Sequence, residues 1–170
     1  MKNAYTHLSF AVFLTVFLQS LAWSAPAPIK LTPKNTKIEF FAVGKPSFLK
    51  IRGESKELSS DMTWNSVQDK GVAQQSILGK LTVKLDSFST GLSLRDKHMK
   101  NKSFEIEKFP DAVITLNEIK FTDAKSKQLP FDGNLKFHGT EKPIQGTVDL
   151  EPKDSDIGYS AQFKVKMTDY

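Results

Sequence analysis

The sequence predicts an all-β protein, an up-and-down antiparallel β-barrel with one short helical insert. Apolar and polar residues alternate with a period of two through most of residues 38–168, and short turn-rich segments separate the alternating runs. One segment, residues 93–108, interrupts the alternation with a helical pattern. Alternation that leaves one polar face is typical of antiparallel strands rather than of a parallel sheet covered on both sides.

The first 24 residues are predicted to be a signal peptide. Lys2 supplies a positive start, residues 8–18 form an apolar run, and small residues follow it. The run is shorter than the roughly 20 apolar residues that span a bilayer. Because Pro26 and Pro28 disfavour a cut beside them, we expect cleavage after Ser24 and delivery to the periplasm in preference to the extracellular space. A retained amphipathic anchor is the alternative.

Residues 25–170 are expected to form one domain. The chain has no cysteine, so an exported domain must rely on its core or on a bound ligand for stability. The net charge of the whole chain is +5, and the loss of Lys2 would lower it by one. Basic residues are spread over outward strand positions and loops instead of clustering, so no nucleic-acid partner is expected.

The first predicted strand is weak, because Phe41 and Val43 are apolar between the alternating residues Ile38, Phe40 and Ala42. Two long strands follow, at residues 74–87 and 111–122. Later strands are predicted around residues 135–137, 144–150 and 161–167, separated by turns at 69–71, Asp132-Gly133, 139–143 and 152–158.

The helical insert at residues 93–108 lies between the two long strands. Ser93 is predicted to be the helix N-cap, with Asp96 in the first turn, and residues 94–102 contain no glycine or proline. Phe104 and Ile106 are expected to form a second short turn before Pro110.

The length of the long strands favours a closed barrel over a two-sheet sandwich. Strands of ten residues reach roughly 33 Å, or about 25 Å of height when they are tilted in a barrel. An eight-stranded barrel of that height has room for one elongated ligand. The sandwich remains the alternative.

The sequence contains no recognisable catalytic or metal-binding pattern. No Gly-x-Ser-x-Gly turn is present, and the pairs Asp96/His98 and Glu105/Glu107 are spaced so that their side chains would point apart on a helix. We therefore expect no enzyme, no metal and no cofactor. A hydrolase or isomerase would require His98 or His138 beside a carboxylate inside the cavity.

Two segments resemble the signature of the YceI family of bacterial polyisoprenoid-binding proteins. The first is TGLSLRDKHMK at residues 90–100, closed by KFPDA at 108–112, and the second is GNLKFHGTEKPI at 133–144. The resemblance extends from about residue 38 to residue 170. It implies a lipocalin-like barrel that holds a long apolar lipid, either a polyisoprenoid lipid or an isoprenoid quinone.

The alternation by itself leaves a filled core and a ligand cavity equally open, and the resemblance favours the cavity. The opening is predicted at the insert, where a ligand headgroup would meet Arg95, Asp96 and His98 while Leu94 and Met99 plug the lumen. In the alternative interpretation Arg95 and Asp96 only fix the loop. The predicted lining residues are Phe40, Ile77, Leu81, Val83, Leu85, Ile114, Leu116, Leu135, Phe137, Val148, Leu150, Phe163, Val165 and Met167.

Family members usually continue beyond the segment that matches residues 163–170, so the resemblance implies that the terminal closing strand is missing here. An unclosed barrel has a free strand edge, which predicts a homodimer. Transient membrane contact is also expected of a lipid carrier. The alternative function is that of a ligand-free barrel acting as an interaction or stress-response module.

Overall fold

Nine strands and one α-helix account for most of the residues that the computed structural model describes. It describes residues 28–170 except 33, 35, 44–49, 70–71, 124 and 154–155, so the predicted signal peptide lies outside the described residues. The elements are β1 (Ile29–Leu31), β2 (Ile38–Val43), β3 (Lys50–Ser55), β4 (Leu58–Asp69), β5 (Val72–Lys84), α1 (Ser93–His98), β6 (Asp111–Phe121), β7 (Leu129–Phe137), β8 (Thr140–Lys153) and β9 (Asp156–Phe163).

Seven of these strands form one curled antiparallel sheet with the order β1-β4-β5-β6-β7-β8-β9. From β4 onward each strand pairs with the next one in the chain, which is the up-and-down connection that the turns predicted. The sheet curls into a half-barrel, and in the described part of the chain its edge strands β1 and β9 do not pair with each other. The all-β fold class with one helical insert is confirmed.

Strands β2 and β3 form a separate hairpin. It is joined to the rest of the fold where the backbones of Glu54 and Ser89 exchange two hydrogen bonds, of 2.9 and 3.0 Å. The hairpin shows which apolar residues of the weakly alternating strand β2 face the core. Phe40 packs against the core, whereas Phe41 and Val43 are exposed.

A β-bulge in the centre of the sheet alters the alternation in β6. The pairing of β5 with β6 shifts between Ile77 and Gly79, so Leu116 and Ile119 both reach the inner face although they are three residues apart. Gly79 has a φ of +138°, and a Cβ atom there would lie 2.2 Å from the backbone oxygen of Asp61. Only glycine fits this position, and such bulges bend and twist a sheet.

The turn predicted at Asp132-Gly133 is wrong, because both residues lie inside β7. Gly133 is required there by a close approach instead, since a Cβ atom would lie 2.2 Å from the backbone oxygen of Thr115. The two-residue turn of this hairpin is His138-Gly139, and both residues have positive φ, 49° and 77°. This is the type I′ geometry that matches the twist of the flanking strands.

The helical insert is confirmed, but its predicted N-cap is wrong. Leu92 occupies the cap position without a side-chain hydrogen bond, and Ser93 is the first helical residue. A π-helical segment, Met99–Phe104, continues α1 directly and ends at Glu105, which adopts the left-handed conformation. A turn at residues 106–108 follows, as expected. In the described part of the chain, no helix has the length and apolar character needed to cross a membrane.

Candidate ligand-binding face

The concave inner face of the half-barrel is built by cross-strand partners that share one side of the sheet. Trp64 lies opposite Ile77, and Ile77 lies opposite Ile119. Leu135 lies opposite Ile114. Because directly opposed residues of paired strands point to the same face, these apolar residues form one continuous surface.

Twelve of the fourteen predicted lining residues lie in this core or pack against it. The buried ones are Ile77, Val83, Leu85, Leu135, Phe137, Val148 and Leu150, and the half-buried ones are Phe40, Leu81, Ile114, Leu116 and Phe163. Leu85 occupies a 3₁₀ turn after β5 and not the strand itself.

The inward orientation expected of Val165 and Met167 is wrong. Pairing of β9 with β8 ends at Phe163, and beyond it Val165 is 37% exposed and Met167 is 50% exposed. Without a paired strand to hold the alternation, the chain turns into a short 3₁₀ helix at Met167–Asp169. Tyr170, which the sequence did not single out, packs edge-on against Phe137 at a centroid distance of 5.9 Å.

The end of the half-barrel beside the insert is filled by aromatic side chains. We call this group the end cluster. Neighbouring rings meet edge to face at centroid distances between 5.4 and 6.3 Å. Met99 also packs against the core at this end. The members of the end cluster are Phe40, Phe88, Phe104, Phe137 and Tyr170.

Leu94, Arg95 and His98 of the five predicted mouth residues line one concavity, whereas Asp96 binds the preceding turn and Met99 packs against the core. Leu94 is 76% exposed, so it does not plug the lumen, and His98 is also exposed. The Arg95 guanidinium donates to Thr90 Oγ1 at 2.7 Å and to the Thr90 backbone oxygen at 2.8 Å. An open concavity of about 510 Å³ outside the sheet is lined by Leu92, Ser93, Leu94, Arg95 and His98.

Asp96 binds the same turn from the other side. Its carboxylate accepts hydrogen bonds from the Thr90 hydroxyl and backbone N–H at 2.5 and 2.7 Å, and from the Ser89 hydroxyl at 2.8 Å. The Thr90 hydroxyl is the main cause that lowers the pKa of Asp96 below its usual value. These contacts agree with the alternative in which Arg95 and Asp96 fix the loop.

The inner face remains exposed along the open side of the half-barrel, between β1 and β9. Ile29 faces inward opposite Trp64 and is 62% exposed, and Tyr159 faces inward opposite Leu150 and is 46% exposed. A second concavity, of about 330 Å³, lies at this side of the sheet. It is lined by Gln145, Gly146, Thr147, Gln162, Phe163 and Lys164.

Two polar residues on the inner face were missed by the sequence analysis. Ser66 of β4 and Gln75 of β5 lie opposite each other, at the end of the sheet away from the insert. Gln75 also lies opposite Phe121 of β6. The alternation could have identified Gln75, because it occupies the same parity as Ile77 in the run 74–87.

The two histidines among the residues that the structure describes lie apart from the inner face. His98 is exposed on α1, and His138 forms the β7–β8 turn, where its ring packs on Phe109 at a centroid distance of 4.6 Å. His138 Nε2 is 3.6 Å from the Glu105 carboxylate, which itself pairs with Lys108 at 2.8 Å. The described residues include no group of three or more His, Asp or Glu placed to hold a metal ion.

Residues 30–170 match the family model of the YceI-like domain. A UPF0312 protein of Photorhabdus laumondii subsp. laumondii is 34% identical over 127 residues, which cover 71% of this chain and 62% of that protein. A UPF0312 protein of Pseudomonas fluorescens (strain SBW25) is 30% identical over 121 residues, which cover 69% and 59%. The matched part of the chain therefore spans about three fifths of the length of these relatives.

The crystal structure of BcnA from Burkholderia cenocepacia has a similar fold. It superposes with a TM-score of 0.58 at 18% sequence identity, and the match covers 78% of this chain and 79% of BcnA. At that identity the likeness concerns the fold of the chain.

Proposed function

This chain belongs to the YceI-like family, and from that premise we propose that it is a non-enzymatic protein that binds a polyisoprenoid lipid and carries or sequesters it in the periplasm. An isoprenoid quinone or its precursor is the proposed ligand. The observation that carries the proposal is the continuous apolar inner face, which stays exposed at Ile29 and Tyr159 on the open side.

The proposed site lies along the open side and towards the end of the sheet that carries Trp64. The end cluster already occupies the space beside the insert. A lipid tail that buries roughly 800 Å² would gain about 20 kcal/mol before the cost of ordering. Nanomolar binding needs only about 12 kcal/mol, so apolar contact can supply the affinity despite that cost.

The decisive experiment is native mass spectrometry and lipid extraction of protein purified from its own host. We expect a stoichiometric polyprenyl species. Protein that carries no lipid would support the alternative, a ligand-free barrel acting as an interaction or stress-response module. The end cluster favours that alternative, because its side chains fill the interior beside the insert without a ligand.

Two neighbouring residues of β9 provide a matched pair of variants. Ala161 faces inward opposite Val148, and Ser160 faces outward opposite Asp149. Ala161→Trp should fill the open side and abolish lipid binding, whereas Ser160→Trp should retain it. Lipid retained by both variants would contradict the proposed location of the site.

A role without catalysis agrees with the position of the histidines. His138 belongs to a turn and His98 to an exposed helix, so neither faces the proposed ligand. Any hydrolase or isomerase activity of the purified protein should survive replacement of both by alanine. Its loss in the double variant would revive the enzymatic hypothesis.

Membrane contact is proposed at the insert. Leu92 and Leu94 are 58% and 76% exposed, and the exposed residues Lys97 and Lys102 lie on the same segment. Exposed apolar residues next to basic ones favour the surface of an anionic bilayer. Leu94→Ser should weaken cosedimentation with phosphatidylglycerol vesicles, and the control Val67→Ser should not.

A homodimer is proposed through the free edges of β1 and β9, since exposed strand edges favour pairing with another chain. Analytical ultracentrifugation at micromolar concentrations should then show a concentration-dependent dimer. A monomeric mass at every concentration would exclude it.

A further inference from the structure

Among the described residues, the side-chain oxygen of Gln75 is a polar atom on the inner face that lacks a hydrogen-bond partner. Gln75 points inward from β5, between Ser66 of β4 and Phe121 of β6. Its side-chain oxygen Oε1 is buried and accepts no hydrogen bond from the described residues. A buried acceptor without a partner destabilises a protein, so such groups are uncommon in folded proteins.

Two other buried side-chain atoms lack a hydrogen bond, but each lies near a charged group. Asp111 Oδ1 is 2.9 Å from Lys84 Nζ, and His138 Nε2 is 3.6 Å from Glu105 Oε1. Gln75 Oε1 is a neutral amide oxygen, and no described residue donates a hydrogen bond to it. It is therefore the acceptor in this group that most needs an external donor.

The surroundings of Gln75 suit an apolar ligand. The Trp64 and Phe121 rings meet edge to face at a centroid distance of 5.0 Å, and Ile77 follows Gln75 on the same face. Trp64 also lies opposite Ile29, the exposed inward residue of edge strand β1. Gln75 thus lies on β5, which is separated from the edge strand β1 by β4. It is at the end of the sheet away from the end cluster.

We propose that Gln75 is the polar anchor of the lipid site and accepts a hydrogen bond from a hydroxyl group at the end of an apolar isoprenoid tail. This inference rests on the proposed function for the isoprenoid tail of the ligand. It adds the class of headgroup and the residue that recognises it. A carbonyl oxygen suits a hydroxyl donor, such as a polyprenyl alcohol or a reduced quinone. It does not suit an ionised phosphate, which offers acceptors only.

Geranylgeraniol and the hydrocarbon of the same skeleton without the hydroxyl group test the anchor. Wild type should bind the alcohol about tenfold more tightly, the equivalent of one hydrogen bond of about 1.4 kcal/mol. Gln75→Leu should bind both ligands equally. Gln74→Leu is the matched control, because Gln74 is exposed on the opposite face of the same strand, and it should keep the wild-type preference.

A second measurement needs no ligand. Gln75→Leu removes the unpartnered acceptor, so it should raise the melting temperature of the lipid-free protein, whereas Gln74→Leu should not. A tenfold preference that persists in Gln75→Leu overturns the anchor and leaves the carrier function standing. Failure of wild type and both variants to bind either ligand overturns the carrier function and the anchor with it.

Discussion

At the scale of single residues, the two segments that carry the family resemblance meet in one contact. Phe109, from the first segment, packs its ring on His138 of the second. A Cβ atom on Gly139 would lie 2.8 Å from the same ring. The β7–β8 turn and the end of the insert therefore pack against each other through Phe109, which is distant in sequence from His138 and Gly139.

Gly139→Ala should destabilise the protein by about 2–4 kcal/mol, because it combines a positive φ of 77° with a clash against Phe109. The matched control is Gly91→Ala. Gly91 has a similar φ of 81° but open space around its Cβ position, so only the cost of about 1 kcal/mol for the left-handed backbone applies. Urea denaturation measures both, and equal losses would contradict a role for the Phe109 contact.

Asp96→Ala should cost about 1–2 kcal/mol at pH 7, because the carboxylate fixes the turn through Ser89 and Thr90. The folded-state pKa of Asp96 is lowered, so this stabilisation is present above the unfolded pKa and is lost as the pH falls through the folded value. Wild type and variant should therefore converge in unfolding free energy at strongly acidic pH.

The control for Asp96 is Asp86→Ala. Asp86 is exposed and its carboxylate makes one surface ion pair, with Lys100 at 3.1 Å, which is worth at most about 1 kcal/mol. If the loss in Asp96→Ala does not change between pH 7 and acidic pH, the carboxylate is not the source of the stabilisation.

At the scale of elements, the two halves of the insert behave differently. The first half carries Leu92 and Leu94 on the outside, while the second half buries Phe104 among the rings of the end cluster. The insert is thus anchored at its C-terminal half. Its N-terminal half is held to the preceding turn by the side-chain hydrogen bonds of Arg95 and Asp96.

Phe104→Ala should destabilise the protein by about 3–5 kcal/mol, since it opens a cavity between three aromatic neighbours. Leu94→Ala, in the same insert, is the control and should change the unfolding free energy by less than about 0.5 kcal/mol, because Leu94 is 76% exposed. Chemical denaturation of the two variants distinguishes these outcomes. Similar losses would show that the insert is not anchored through Phe104.

At the scale of the whole molecule, the half-barrel has a strongly connected centre and weakly connected borders. Strands β4 to β8 are each paired on both sides, whereas β1 and β9 are edge strands and the β2–β3 hairpin joins the rest at Glu54 and Ser89. Local unfolding should begin where fewer neighbours must separate.

Native-state hydrogen exchange should therefore be slowest in β4 to β8 and faster in β1, β9 and the β2–β3 hairpin. The ranking follows from the number of paired neighbours of each strand. Protection in β1 and β9 equal to that in β5 would contradict free edges. Exchange is also measured at several protein concentrations. Protection of an edge strand that rises with concentration indicates that a second copy covers it, and protection that stays constant indicates that the strand is intrinsically stable.

The sequence alone determined the local features, because alternation and turn chemistry depend on near neighbours along the chain. It predicted the antiparallel strands and the insert at residues 93–108, and twelve of the fourteen residues that it assigned to a lumen lie in or against the core. The register across strands follows from pairing between distant segments. Only the tertiary structure therefore placed the bulge at Gly79, the outward turn of Val165 and Met167, and the unpartnered oxygen of Gln75 on the inner face.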